Sequence, residues 1–377
     1  MWKVPLFDLN YDTREELAVQ EVIASRWLTM GEKTKDFESQ FSSMLGSDIN
    51  CHAVSSATAA LHMALLALDV GPGDEVIIPA LTFIADANVV KMAGAVPVLA
   101  DSVSLNDWNI SAATIEPKIT ANTKAVIVVH FAGYACDMAE ISALCKSRNI
   151  GLVEDAAHAP GASNNGIMCG AMGDVGCFSF FSNKNLSVGE GGMVVTRDEK
   201  ISNSLKALRS HGMSTLTLDR HKGRAISYDV EQVGLNYRMD EIRAALGIVQ
   251  LEKLVEGNHS RCALTGIYKQ ALRGTNVSMA FSHLELSENN AYHIAPVLLP
   301  EHCDRTEVIG KLRESGIQTS IHYPPFWSFT AYQDFVSPAD APVVVDICNR
   351  ELTLPLYPTM TGDQVHEVVS KLLEAVQ

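Results

Sequence analysis

An α/β fold with a mostly parallel sheet covered by helices follows from three features of this 377-residue chain. Short apolar runs alternate with longer helical patterns between about residues 50 and 200. Several of those runs are apolar throughout, as in strands packed on both faces. From residue 239 onward the helical signal lengthens, which marks a second, smaller α+β unit.

Taken in order, the predicted strands are "CHAVSS" (51–56), "DEVIIP" (74–79), "AVPVLAD" (95–101), "AVIVVH" (125–130), "IGLVED" (150–155), "VGCFSF" (175–180) and "GMVVT" (192–196). Helical stretches such as "TAALHMALLAL" (58–68) and "DMAEISALCKSR" (137–148) lie between them. This alternation reads as a three-layer αβα domain. After "MDEIRAALGIVQLEKLVEG" (239–257), the segments "APVLLP", "RTEVIGKLRESGI" and "GDQVHEVVSKLLEAV" form the smaller domain. The boundary is placed near residue 250, giving a large domain over 1–250 and a small one over 251–377. No low-complexity linker or repeat intervenes, so the two are expected to pack tightly.

Composition narrows the function. Forty-four acidic residues against 29 basic ones leave a formal charge of -15, which disfavours a nucleic-acid or anionic-membrane surface. No apolar run reaches the roughly 18 residues of a membrane span. The start, "MWKVPLFDLNYDTREE", lacks the basic-then-apolar order of a signal peptide. Eight cysteines without a CxxC pair suggest neither a metal site nor a disulfide framework. A reduced cytoplasm is the expected home.

In open α/β sheets, ligands gather at the carboxyl ends of strands. Four polar features fall there. "SSATAALH" (55–62) leads a strand into a helix whose first turn holds Ala57 and Thr58, a seat for phosphate. "GLVEDAAHAPGA" (151–162) ends a strand in Glu154 and Asp155, with His158 close behind. "FSFFSNKNLSVGEGG" (178–192) carries Ser179 and the isolated Lys184. "GLNYRMDE" (234–241) brings Asn236, Tyr237 and Arg238 to a helix start. Each has a plain structural explanation when taken alone, an N-cap or a satisfied histidine. GxGxxG, Walker A and nucleophile-elbow motifs are absent. Together, a phosphate seat, a strand-end carboxylate and a lysine 29 residues further on are what pyridoxal 5'-phosphate requires. The amine forms its Schiff base, and the carboxylate keeps its ring nitrogen protonated.

On these motifs the chain resembles the DegT/DnrJ/EryC1/StrS family of sugar aminotransferases, fold-type-I pyridoxal-phosphate enzymes. The likeness runs from "WLTMGEKTKDFE" (27–38) through "DEVIIPALTFIADAN" to "SIHYPP" (320–325) and "LPLYP" (354–358), nearly the whole chain. It implies that Lys184 is the Schiff-base lysine and that Asp155 pairs with the pyridine nitrogen. It implies that Phe83 stacks on the ring, that His158 lies near it, and that Ala57, Thr58 and Ser179 hold the phosphate. Asn236 matches a residue lent to the neighbouring subunit's phosphate, which implies a homodimer with shared sites. Arg238, His322 and Tyr323 fall toward the sugar.

The reaction so implied takes an amino group from L-glutamate to a nucleotide-linked ketosugar. "SSATAALH" and "EDAAHA" resemble the branch related to UDP-4-amino-4-deoxy-L-arabinose aminotransferases, whereas many 3-aminating relatives carry glutamine where His158 stands. That favours a 4-keto sugar over a 3-keto one, although "GLNYRM" and "IHYPPFW" are similar to the wider family. A sugar 3-dehydratase on the same cofactor replaces the lysine with histidine, so Lys184 speaks against it. A catalytically silent sensor has no reason to keep Asp155, Ser179 and Lys184 together.

Overall fold

The computed structural model describes residues 2–213, 227, 229–333 and 338–377. Its first nine strands are β1 (Asn50–Val54), β2 (Glu75–Pro79), β3 (Val96–Ala100), β4 (Thr123–Val129), β5 (Gly151–Asp155), β6 (Ser163–Asn164), β7 (Ile167–Met168), β8 (Val175–Ser179) and β9 (Gly192–Thr196). Seven of them form one sheet in the order β1-β9-β8-β5-β4-β2-β3. Only β9 runs against its neighbours, and every other pairing in the sheet is parallel or follows from that reversal. Every predicted strand is present within two residues of its expected bounds.

Side chains leave the strands alternately, and the two sets feed two cores. Ile77, Val126, Val128 and Leu152 pack with Met138, Ile141 and Cys145 of the helix Met138–Arg148. Val76, Ile78, Ala125, Ile127 and Val153 pack on the other side with Ala60, Met63 and Ala64 of the helix Ala57–Ala67. Each fully buried aliphatic residue contributes about 1.5–3 kcal/mol, so burial on both faces explains the unbroken apolar runs. The hairpin β6–β7 was not foreseen. It turns through Asn165 (φ 51) and Gly166 (φ 77), the Asn-Gly pair that two-residue hairpins favour.

Glu154 of β5 is fully buried and accepts four hydrogen bonds. His130 Nε2 donates at 2.9 Å, and the amides of Gly170, Met172 and Gly173 donate at 2.7, 2.6 and 2.5 Å. His130 Nδ1 accepts from the Cys136 amide at 3.1 Å, which leaves its proton on Nε2, facing the carboxylate. One side chain thus ties the end of β4 and the 170–173 turn to β5.

The helix Glu241–Leu272 runs for 32 residues and carries the helices Thr13–Ser25 and Glu32–Leu45. Residue 250, the expected boundary, lies inside it, so a continuous helix rather than a loop leaves the large sheet. Beyond it β10 (Ser278–Met279), β11 (Ala295–Leu298) and β12 (Glu351–Leu354) form an antiparallel sheet. Buried Arg261 of the long helix staples this part together, donating at 2.9 Å to the carbonyls of His293 and Leu356. Among the described residues no helix is long and apolar enough to cross a membrane.

Glu241, the first residue of the long helix, substitutes for a cap on the helix Glu32–Leu45. It accepts from the amides of Gly31, Lys33 and Thr34 at 2.8, 2.8 and 2.9 Å and from the Thr34 hydroxyl at 2.6 Å. Glu241→Ala strands three amide donors, two of them buried. It is expected to lower the unfolding free energy by about 3 kcal/mol. Urea titration at fixed protein concentration checks this, and a loss below about 1 kcal/mol removes the capping role.

Candidate active site

The carboxyl ends of β1, β2, β5 and β8 surround a cavity of about 360 Å³. Its walls include Ala57, Thr58, Phe83, Asp155, His158, Ser179, Lys184, His322 and Tyr323. All the predicted site residues except Asn236 and Arg238 therefore converge here. A larger, shallower groove of about 670 Å³ between the helix Met138–Arg148 and the 164–167 turn holds none of them.

The helix Ala57–Ala67 begins at the cavity wall. Ser56 caps it by accepting from the Ala59 amide at 3.1 Å, and the first-turn amides of Ala57 and Thr58 have no intrahelical partner. Gly192 on β9 lets this turn come close, since a Cβ there meets the Ser56 carbonyl carbon at 2.6 Å. Ser179 at the end of β8 accepts the Phe181 amide at 3.3 Å and lines the same wall. A helix start and a hydroxyl together suit a phosphate.

Asp155 ends β5 with Oδ1 accepting from the Ala157 amide at 2.8 Å, and no bond occupies Oδ2 among the described residues. Burial pushes its carboxyl up, against the pull of that amide and of Lys184. Close by, fully buried Asp86 is held by the Thr82 hydroxyl through Oδ2, while its Oδ1 has no hydrogen-bond partner among the described residues. Burial and the Asp155 charge push Asp86 further up.

Lys184 follows the turn after β8, and burial lowers its amine to about 8, with Asp155 opposing. Its Nζ lies 3.4 Å from His293 Nε2. The Asn185 amide donates to Asn258 Oδ1 and the Ala291 carbonyl at 2.8 and 2.7 Å, so Asn185 Oδ1 accepts from His293 Nδ1 at 2.9 Å. His293 thus turns a bare Nε2 toward the lysine.

His158 Nδ1 accepts from the Ala132 amide at 3.3 Å, which puts its proton on Nε2, donated to the Tyr323 oxygen at 2.9 Å. The Tyr323 hydroxyl hydrogen is left for the cavity. Burial, Lys184 and His322 hold the His158 ring well below its ordinary range, so it stays neutral. Phe83 is 53% exposed and stands 5.6 Å from the Tyr323 ring, an aromatic face open for a planar ligand.

Asn236 is exposed and pairs with Ser210 through the backbone. Arg238 pairs with Val54 in the same way, and its Nη1 is buried without a hydrogen-bond partner among the described residues. Neither reaches the cavity of its own chain. Sequence reasoning missed Asp86 and His293. Asp86 lies one helical turn beyond Phe83 in "TFIADAN", a readable spacing, whereas "AYHIAP" gives no signal for His293.

The donor set fits pyridoxal phosphate: an amine at a reactive pKa, a free carboxylate oxygen, a phosphate seat and an aromatic face. Asn183 Oδ1, buried at the cavity wall with no hydrogen-bond partner among the described residues, offers a further acceptor.

Residues 10–373 match the DegT/DnrJ/EryC1/StrS aminotransferase family. The chain is 37% identical over 373 residues to the spore coat polysaccharide biosynthesis protein SpsC of Bacillus subtilis (strain 168), covering 97% of this chain and 95% of that one. DesV of S. venezuelae superposes with a TM-score of 0.90 at 30% identity, covering 100% and 99% of the two chains. The PMP form of Spr1654 from Streptococcus pneumoniae gives 0.90 at 27% identity, covering 100% and 98%. That protein is also solved in its PLP form. With sequence and backbone agreeing over nearly the full length, the chain belongs to the DegT/DnrJ/EryC1/StrS aminotransferase family and is a PLP-dependent aminotransferase of fold type I.

Proposed function

We propose that this aminotransferase moves an amino group from L-glutamate to a nucleotide-linked ketosugar, with a 4-keto sugar favoured, in the cytoplasm. The product is an aminosugar for a polysaccharide or glycoside. One observation carries the reading: the Lys184 amine shares a cavity with the free Oδ2 of Asp155 and the start of the helix Ala57–Ala67. The name of SpsC supports the polysaccharide destination. The sugar and its carbon rest on the sequence motifs around Ser55–His62 and Glu154–Ala159.

Bound in this cavity, pyridoxal phosphate supplies a carbonyl carbon that takes up an amine and a ring that stores electrons. In this reading Lys184 anchors the group through Nζ. Once free, the same Nζ carries a proton to and from the substrate carbon that bears nitrogen. Its lowered pKa leaves a fraction of the amine neutral near neutral pH, and His293 Nε2 accepts one of its hydrogens. Asp155 Oδ2 holds a proton on the ring nitrogen. Ala57, Thr58 and Ser179 take the phosphate, and Phe83 covers a face of the ring. His158 and Tyr323 present a hydroxyl hydrogen to the ligand. Arg238, His322 and Tyr323 approach the sugar.

We read residues 1–250 as a large cofactor-binding domain and 251–377 as a small one. The partner subunit is proposed to supply Asn236 and Arg238, which supports a homodimer, since neither meets the cavity within one chain.

Lys184→Ala is expected to bind the cofactor yet lose transamination by more than about 10⁴-fold, because the covalent anchor goes with the proton carrier. Glutamate-dependent turnover of UDP-, dTDP- and GDP-linked ketosugars measures this. A borohydride-fixed adduct on a different lysine of the variant excludes the assignment. Asp155→Asn is expected to retain the yellow colour of the bound cofactor and lose most turnover, and a near-normal rate removes its role. The shared site is tested by mixing. Heterodimers of Lys184→Ala protomers with Asn236→Ala/Arg238→Ala protomers regain activity at one of their two sites. No gain over either parent in purified heterodimers rejects sharing.

A further inference from the structure

Glu351 opens β12 and is fully buried, a costly place for a carboxylate where packing alone favours an apolar side chain. The Arg305 guanidinium, whose charge it feels, does not bond to the carboxylate. Arg305 Nη1 donates instead to the backbone carbonyls of Cys348 and Glu351 at 2.6 and 3.0 Å. The carboxylate is spent on two other donors. Oε2 accepts from the His322 amide at 2.9 Å, and Oε1 accepts from the Thr353 hydroxyl at 2.5 Å.

The Thr353 hydroxyl has one hydrogen, and Glu351 takes it. Its 2.9 Å contact with His322 Nδ1 is therefore one in which the ring donates and the hydroxyl oxygen accepts. The single ring proton of neutral His322 sits on Nδ1. Nε2 is bare, has no hydrogen-bond partner among the described residues, and belongs to a ring that lines the cavity.

We infer that Glu351, acting through the Thr353 hydroxyl, is a positioning residue that sets His322 to present an unprotonated Nε2 to the cavity as the acceptor for a hydroxyl or ammonium group of the bound substrate. The substrate part rests on the transaminase reading above, and the state of the ring does not.

The same chain couples that acceptor to one proton. Burial pushes Glu351 up to about 7, opposed by Thr353, the His322 amide and Arg305. Burial and Lys184 push the His322 ring down to about 3, so the carboxyl takes up a proton before the imidazole does. Cys348 and Tyr323 also face Glu351, and His158 and His293 face His322. Oε2 remains committed to the His322 amide, so the added proton resides on Oε1 and is donated to the Thr353 oxygen. The hydroxyl then turns its own hydrogen to Nδ1. Nδ1 gives up its proton and Nε2 gains one, through the water or ligand that touches it. The net change is one proton bound, at Glu351, and an acceptor has become a donor as the pH falls.

Glu351→Gln makes the same switch without pH. Its carbonyl oxygen must stay with the His322 amide, so its NH₂ faces Thr353, and the hydroxyl has to donate to Nδ1.

The test is ¹⁵N NMR of histidine-labelled holoenzyme, with the His322 signals identified by their loss in His322→Gln. Above the Glu351 titration, wild type is expected to show a protonated Nδ1 and a bare Nε2, and below it the reverse. Glu351→Gln is expected to show the proton on Nε2 throughout. Thr353→Val, which keeps the carboxylate and breaks the chain, loses the pH-dependent exchange. A wild-type ring protonated on Nε2 above the titration overturns the inference, as does an unchanged ring in Glu351→Gln. The wild-type spectrum decides even where a variant fails to fold. A failed ketosugar assay beside the expected spectrum rejects the sugar and leaves the relay standing.

Discussion

The active cavity depends on how Glu154 is satisfied. A carboxylate buried on a central strand is tolerable only when its lone pairs are taken, and here three amides and one imidazole take them. Because strand side chains alternate, Glu154 and Asp155 face opposite ways. The satisfied member ties the 170–173 turn and the end of β4 to β5, and that holds the unsatisfied member at the strand end. Among the described residues Asp155 keeps one oxygen without a hydrogen bond while its neighbour on the strand is fully bonded.

Electrostatics inside the cavity run against the charge of the whole chain. The protein is acidic overall, at -15, yet Lys184 is ringed by three histidines whose hydrogen bonds and burial keep them neutral. A ring of imidazolium there would drive the lysine amine far down and repel a protonated donor. Neutral rings instead supply oriented lone pairs and one donated hydrogen, fixed by the Ala132 amide at His158, by the Asn185 side chain at His293 and by the Thr353 hydroxyl at His322. Asn185 serves this purpose through one hydrogen bond to its ring, and Glu351 through two, by way of Thr353.

Much of the fold could be read directly. Strands buried on both faces write themselves as apolar runs, and all seven of the large sheet stand where the runs do. Asp155, Ser179 and the Ala57–Thr58 turn were legible because each sits at a strand end or helix start, where a polar residue among apolar ones is conspicuous. Lys184 was legible because it is the single charge between an apolar strand and a glycine turn. The short hairpin around Asn165 and Gly166 was signalled by its Asn-Gly pair and passed over. Nothing local distinguished His293 from an ordinary histidine two residues before a buried strand. Its meaning comes from Asn185 and Asn258, 108 and 35 residues away in the chain.

Periodicity, strand-end polarity and motif order settle the class of fold and the residues that stand at the mouth of the sheet, since these are properties of neighbours along the chain. Other properties arise only between segments far apart. The antiparallel course of β9, the continuity of the long helix through residue 250 and the exclusion of Asn236 and Arg238 from their own cavity all depend on where the chain returns. So does the protonation of each histidine. A ring's tautomer is set by the partner across the space between elements, and hydrogen-bond direction along Glu351, Thr353 and His322 exists only once β12 lies beside the 320–323 segment.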